Sequence, residues 1–352
     1  MKSAALEKYT VGDVLAYRDT PQLYHTVSDT ATVEDALAAM YVHGIVSLPV
    51  LRNSGADQAF VDIVSVYDLR DYITSSPTLK EEVDFQLLSG RASGNLTVLQ
   101  DTVSQVVQSR KHASQEISAH APLEELVRLF SKLGQHRVLV SDAIDHRTTE
   151  PTTTPQVPGA NDKGGRQRGI SIDSGMSSMS YNSSHSEIVC GLTQYDVVRF
   201  IQHHNHELGR TLDTCIEDIA KIHAPLQPSA PHHLPHLTVR DTALDALRLL
   251  RDTKCSALPV VDSDGRLITE IAGANLRGLT TGSIGLLGKP VLAYMFGLGL
   301  PITNPYIVHR NFTLSQVMAG LLQMNCRRAW LVDDDERPIA IVSLTDVLNH
   351  FL

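Results

Sequence analysis

Three stretches repeat one pattern in which a hydroxyl stands three residues before a carboxylate: Ser65-Val66-Tyr67-Asp68, Thr193-Gln194-Tyr195-Asp196 and Ser343-Leu344-Thr345-Asp346. Each follows a short apolar run and precedes residues at helical spacing, so the hydroxyl falls at a helix N-cap and the carboxylate at the third helical position. The positive end of the helix dipole keeps such a carboxylate ionised. A single occurrence is only a capping element. Recurrence opens a second role, because a fixed carboxylate can accept hydrogen bonds from two vicinal hydroxyls, as an acid does on the ribose in dinucleotide-binding folds. Basic residues lie at the start of strands in two of the same repeats, His136-Arg137 and Arg327-Arg328. The Arg fork suits a phosphate because it donates bidentately.

The elements that would hold these residues also repeat. In the last stretch, Ala329–Val332 and Ile339–Val342 are apolar runs on either side of the acidic turn Asp333-Asp334-Asp335. The pattern predicts strand, turn, strand and capped helix. The first copy has a helix with apolar positions Val33, Ala36, Leu37 and Met40, capped by Asp29 or Thr30, then strands over Ile45–Leu51 and Phe60–Val64. The second has a helix from Pro122 and strands at Gln135–Val140 and Ile188–Leu192. The third has Asp241-Thr242 capping a helix over Ala243–Leu250, with strands at Ser256–Val261 and Leu267–Ile271. Its fourth element reads Ala272-Gly273-Ala274-Asn275, without the hydroxyl and without the charge. Four such units form small α/β modules that need neighbours for stability.

This reading divides the chain as follows. An N-terminal helical extension covers 1–25, a first copy 26–76 and a linker 77–115. The second copy covers 116–208, and a Ser/Thr/Pro/Gly-rich insert over 143–186 interrupts it. A Pro/His-rich linker covers 209–237, the third copy 238–280, a linker helix 281–306 and the fourth copy 307–352. The insert has too few large apolar residues to bury and is expected to be disordered. Within it, Arg166-x-Arg168-x-x-Ser171 makes Ser171 a candidate phosphosite.

Composition narrows the function. The chain has 352 residues, 42% hydrophobic and 20% charged, with a formal net charge of −9, which argues against a general nucleic-acid or anionic-membrane binder. No apolar segment near the start reads as a secretory signal. The most apolar stretch, 284–302, is broken by Lys289, Pro290 and glycines and reads as a buried helix, not a membrane span. The four cysteines are far apart and read as reduced thiols. His203, His204, His206, His232, His233 and His236 read as solvated, and no metal is assigned. No nucleophile–base constellation, P-loop or Gly-rich nucleotide fingerprint is found, so an enzyme is not expected and no catalytic cofactor is assigned.

The units resemble CBS domains, through GIVSLPV in copy one, QHRVLV with GLTQYDVVRFI in copy two, CSALPVVDSDGRL in copy three, and RRAWLVDD with AIVSLTDVL in copy four. The pattern is similar to the gamma regulatory subunits of AMP-activated protein kinase. The resemblance implies an α/β fold of four CBS domains, paired into two Bateman modules that form a pseudo-symmetric disc. It implies AMP, ADP and ATP as ligands in the clefts. Asp68, Asp196 and Asp346 would hold ribose, with Ser65, Thr193 and Ser343 beside the nucleoside. His136, Arg137, Arg327 and Arg328 would hold phosphates, and Ser256 would line a nucleotide pocket. It also implies a kinase catalytic alpha and a scaffold beta subunit as partners, in the cytoplasm and also the nucleus. The alternative is a stand-alone four-CBS adaptor or a phosphatase or stress regulator. The sequence departs from the family at Asn275 and Ala272 in copy three, at Val46, where animal forms have Arg, and at Arg327, where the family has His.

Overall fold

The structure is a computed structural model that describes residues 6–18, 25–54, 57–91, 98–110, 115–132, 136–141, 190–219 and 234–352. The insert 143–186 with Ser171, and His232 and His233, lie outside the described residues. Helix α1 (Val11–Ala16) precedes copy one, which comprises β1 (Val27–Ser28), α2 (Val33–Val42), β2 (Ser47–Ser54), β3 (Asp57–Ser65) and α3 (Val66–Ser75). Helices α4 (Leu79–Ser89) and α5 (Val103–Ser109) follow. Copy two is β4 (Glu116–Ser118), α6 (Leu123–Lys132), β5 (Arg137–Ser141), β6 (Cys190–Thr193) and α7 (Gln194–His203). Copy three is β7 (Leu237–Thr238), α8 (Ala243–Thr253), β8 (Ala257–Val261) and β9 (Leu267–Ala272), closed by a 3-10 turn over Gly273–Leu276 and followed by α9 (Val291–Gly297). Copy four is β10 (Ile307–Val308), α10 (Leu314–Gln323), β11 (Arg328–Val332), β12 (Pro338–Ser343) and α11 (Leu344–His350).

Every copy builds the same three-stranded sheet, with its short first strand parallel to the second and the second antiparallel to the third. The helix between the first two strands is amphipathic. In α2, Val33, Ala36, Leu37 and Met40 are fully buried, as their spacing predicts. Its cap is Thr32 in a box with Asp35, not Asp29 or Thr30. Asp29 instead ends the β1 segment and pairs with Arg52 at 2.9 Å. Thr242 caps α8 with Asp245 at its third position. The apolar stretch at 284–302 is split into a 3-10 segment ending at Gly288 and the short α9, with Pro290 between them. No helix among the described residues is long and apolar enough to cross a membrane.

The segment ahead of each copy packs on a different copy. Residues around Thr10 bridge to Pro122 of copy two, with Val11 N–H donating to Ala121 O at 2.9 Å and Leu123 N–H to Tyr9 O at 2.8 Å. Residues around Thr102 return to copy one, through Val33 N–H to Asp101 O at 2.9 Å and Val103 N–H to Ala31 O at 2.8 Å. The same exchange joins Cys215 to Thr313 of copy four and Pro290 to Thr242 of copy three. Backbone exchange therefore ties copy one to copy two and copy three to copy four. The large apolar cores run the other way: one unites residues of copies one and three, the second those of copies two and four. The four units form a closed, pseudo-symmetric disc.

A smaller cluster locks the sheets of copies three and four together, with Ala257 and Ala272 packed on fully buried Trp330. Glu270 serves both partners there: it accepts from Trp330 Nε1 at 2.6 Å and forms an ion pair with Arg328 Nη1. Removing one member of a buried ion pair leaves the other uncompensated, at about 3–5 kcal/mol. Glu270→Ala is accordingly expected to lower stability by about that amount in urea unfolding, and Glu270→Gln, which keeps an acceptor for the indole, to cost less. Equal losses for the two variants would show that the ion pair contributes nothing beyond the hydrogen bond.

Candidate functional site

Strand register determines which side chains reach the centre of the disc. Directly opposite the first residue of β5, β11 and β2 lie the capping hydroxyls: Arg137 faces Thr193, Arg328 faces Ser343 and Ser47 faces Ser65. In copy three the same register pairs Ala257 with Ala272. One residue earlier stand His136, Arg327, Val46 and Ser256. All four copies contribute to one central cavity of about 360 Å³, within the usual size range of small-molecule sites. Ser65, Asp68, His136, Arg137, Thr193, Ser256, Arg327, Arg328 and Ser343 all border it. Of the predicted residues, Asp196 and Asp346 do not; they stand behind the Thr193 and Ser343 hydroxyls they cap.

The caps are built alike. Oδ2 of Asp346 accepts from Ser343 N–H at 2.7 Å and Ser343 Oγ at 2.6 Å. Oδ2 of Asp196 accepts from Thr193 N–H at 2.8 Å and Oγ1 at 2.6 Å, and Oδ2 of Asp68 from Ser65 N–H at 2.8 Å and Oγ at 2.6 Å. Burial pushes the Asp346 carboxyl above the usual range, and the hydroxyl and N–H bonds from Ser343 only partly counter it. No basic side chain pairs with Asp346 among the described residues. In copy three, Asn275 still accepts from Ala272 N–H at 2.7 Å, so the backbone cap survives without the charge. Between them Gly273 packs closely on copy one, since a Cβ there would lie 3.0 Å from the Tyr67 ring.

The remaining groups make the cavity cationic in a protein of net charge −9. Arg327 is exposed and forms no ion pair among the described residues. Arg328 is buried and held by Glu270, with its Nε left without a partner. Ser47 is buried, and its hydroxyl also lacks a partner. His136 is exposed and borders the cavity. Nδ1 lies 3.3 Å from Gln194 Oε1, which can only accept, so Nδ1 carries the proton and Nε2 is left as an acceptor. The Gln194 amide is oriented by its own bonds from Nε2 to Phe130 O at 3.3 Å and Thr345 Oγ1 at 2.8 Å. Desolvation holds His136 below its ordinary value; the Gln194 bond opposes this, and the charges of Arg327 and Arg328 add to it.

Several lining residues escaped the sequence reading. Gln194 and Thr345 occupy the middle positions of the repeated element, and Tyr67 stacks toward His136 with ring centroids 5.2 Å apart. Arg110 reaches the cavity from the segment after α5. The histidines at 203, 204 and 206 belong to aromatic packing: His204 lies 4.3 Å from the Phe200 ring and contacts Tyr9.

The depressed His136 has a testable sign. Its folded value lies below the ordinary 6.5. As pH falls through that ordinary value, the unfolded chain takes up a proton that the folded chain refuses, so stability is lost on acidification. His136→Gln is expected to flatten this part of the stability–pH curve, read by urea unfolding between pH 7.5 and 5.5; a parallel curve would exclude His136 as a source.

Comparison with known proteins adds a family likeness. The CBS-domain family model matches residues 11–75, 232–268 and 298–352, which fall in copies one, three and four and their lead-in segments. Copy two lies outside the matched residues but carries the same elements. The gamma subunit of 5′-AMP-activated protein kinase from Saccharomyces cerevisiae is 26% identical over 171 residues, 48% of this chain and 51% of that protein. The match thus spans about half the length of that relative. A solved structure from Methanocaldococcus jannaschii, suggested to be an archaeal homolog of gamma-AMPK, is similar over 98% of this chain and all of that one, with a TM-score of 0.63 at 16% identity, which speaks for the fold. With its four repeated α/β units and these matches, the chain carries CBS-domain sequence over residues 11–75, 232–268 and 298–352 and resembles the gamma regulatory subunit of AMP-activated protein kinase.

Proposed function

We propose that the central cavity binds an adenine nucleotide and that the chain is a non-catalytic, gamma-type regulatory subunit of a kinase heterotrimer. The observation that carries this is the convergence of the capping hydroxyls Ser65, Thr193 and Ser343, the Asp68 carboxylate and the cationic strand starts on one cavity, with Asp196 and Asp346 hydrogen-bonded to the hydroxyls that border it. In this reading the acids of the caps, Asp68, Asp196 and Asp346, accept from ribose hydroxyls beside Ser65, Thr193 and Ser343. His136, Arg137, Arg327 and Arg328 face phosphates, and Ser256 lines the pocket from copy three. AMP, ADP and ATP differ in phosphate charge, so a site rich in guanidinium groups can weigh them differently. A differential affinity between two states of the assembly then shifts its equilibrium. The partners would be a catalytic alpha and a scaffold beta subunit in the cytoplasm, with a nuclear pool as well.

Hydrogen bonds to charged acceptors are worth about 1.5–3 kcal/mol. Asp346→Ala is expected to weaken AMP at least tenfold in calorimetry, a factor that corresponds to about 1.4 kcal/mol. Unchanged affinity would remove the ribose role. Arg327→Ala is expected to weaken AMP while leaving adenosine unaffected, and equal losses for the two ligands would exclude a phosphate contact.

A second reading, a stand-alone four-CBS regulator, is favoured by the limited span of the match to the yeast gamma subunit. Affinity purification separates the two. Kinase catalytic and beta-type subunits should co-purify under the first, and their reproducible absence would leave the second.

A further inference from the structure

Two of the three carboxylates already have a cationic partner from the chain itself. Arg18 donates from Nη2 to Asp196 Oδ2 at 2.6 Å and from Nε to Asp196 Oδ1 at 3.3 Å, so both carboxylate oxygens are engaged. The same Nη2 donates to Gly191 O at 2.7 Å, two residues before the capping Thr193. Arg110 reaches the carboxylate of copy one from the equivalent place, but on the capped oxygen alone. Its Nη1 lies 3.3 Å from Asp68 Oδ2 and 2.8 Å from Ile63 O, again two residues before the capping Ser65. Its Nη2 is 2.6 Å from Asp62 Oδ2. Both guanidinium groups are largely buried, with side-chain exposures of 12% for Arg18 and 16% for Arg110.

The two arginines come from equivalent places. Thr10-Val11-Gly12-Asp13-Val14-Leu15-Ala16-Tyr17-Arg18 and Thr102-Val103-Ser104-Gln105-Val106-Val107-Gln108-Ser109-Arg110 share one spacing, T-V-x-x-V-x-x-x-R. Each begins at a capping threonine that bridges to the copy it completes and ends in the arginine. Counting the same eight residues from the bridging Pro290 and Cys215 gives Leu298 and His223 for copies three and four. Neither is an arginine. Copy three has no carboxylate to neutralise, and Asp346 of copy four has no basic partner among the described residues.

We propose that Arg18 and Arg110 are internal plugs. Each competes with a vicinal diol for the carboxylate of its copy, Arg18 on both oxygens of Asp196 and Arg110 on the capped oxygen of Asp68, and copy four, whose Asp346 has no basic partner among the described residues, is the nucleoside site without such a plug. Resting on the nucleotide reading above, the inference assigns a hierarchy to its sites. A ligand entering copy one or two must displace a buried guanidinium and supply two hydroxyls in exchange. It follows that these sites reject a sugar lacking one hydroxyl more strongly than copy four does.

The test is AMP stoichiometry by calorimetry on the full chain. Wild type is expected to bind one AMP, lost in Asp346→Ala. Arg110→Gln and Arg18→Gln are each expected to add a site, and the added site to prefer AMP over 2′-deoxy-AMP by about tenfold, the worth of one hydrogen bond to a charged acceptor. Three AMP bound by wild type would overturn the plug assignment without any variant. So would Gln variants that melt normally but gain no site, or that lose AMP affinity, which would make the arginines phosphate ligands. If a Gln variant fails to fold, Arg→Lys at the same position, which keeps the charge without the fork, is expected to open the site partially; unchanged stoichiometry there counts against the plug. Absence of AMP binding in wild type and in every variant would sink the nucleotide reading and this inference together. Binding at copy four with no gain in the variants sinks this inference alone.

Discussion

One short hydrogen bond recurs through the molecule: a Ser or Thr hydroxyl donating to the carboxylate of the third helical residue. It does three things at once. It orients two side chains that accept from the N–H groups a helix start would otherwise leave open. It fixes the direction in which the third strand turns into its helix. It also commits one carboxylate oxygen to the protein, which defines what the other can accept. The strand register that places Arg137 opposite Thr193 and Arg328 opposite Ser343 then delivers cations to the same point. The central cavity is the sum of four such deliveries, and its character changes wherever one copy alters the pair. Copy three shows the alteration at its fullest, with Ala257 facing Ala272 and Asn275 capping without charge.

Much of this was legible in the sequence because it is local. Apolar periodicity, the acidic turns and the repeated hydroxyl–carboxylate spacing are properties of a few neighbouring residues, and comparison of the copies aligned them. The residues bordering the cavity at Ser65, His136, Arg137, Thr193, Arg327, Arg328 and Ser343 followed from that alignment, and Ser256 from the family resemblance. What escaped depends on partners far apart in the chain. Glu270 matters because Arg328 and Trp330 come to it from the next copy, and nothing around Glu270 announces that. The helix caps were partly misplaced in copy one because Asp29 and Thr30 are also good cap residues; Thr32 prevails because Asp35 completes its box and Thr102 bridges to it.

The arginines of the lead-in segments were missed for a different reason. Each repeat is recognisable from the helix that opens it, and the segments ahead of it carry none of that pattern. Their shared T-V-x-x-V-x-x-x-R spacing becomes visible only when linker is aligned with linker. Its sense becomes clear only when each is assigned to the copy that it completes.

That crossed assignment has a consequence for how the chain comes into being. The bridge from Thr10 to Pro122 joins segments more than a hundred residues apart, and the piece needed to finish copy two is synthesised before copy one. It must wait, unpaired, while copy one and its linker emerge. Loop closure over such a distance adds little free energy, because its entropy grows only logarithmically with length. The cost falls on time, because contacts distant in sequence slow folding. A ribosome-bound fragment ending at residue 115 already contains residues 98–110 and can close copy one, whereas copy two becomes whole only by reaching back across copy one to the segment around Thr10.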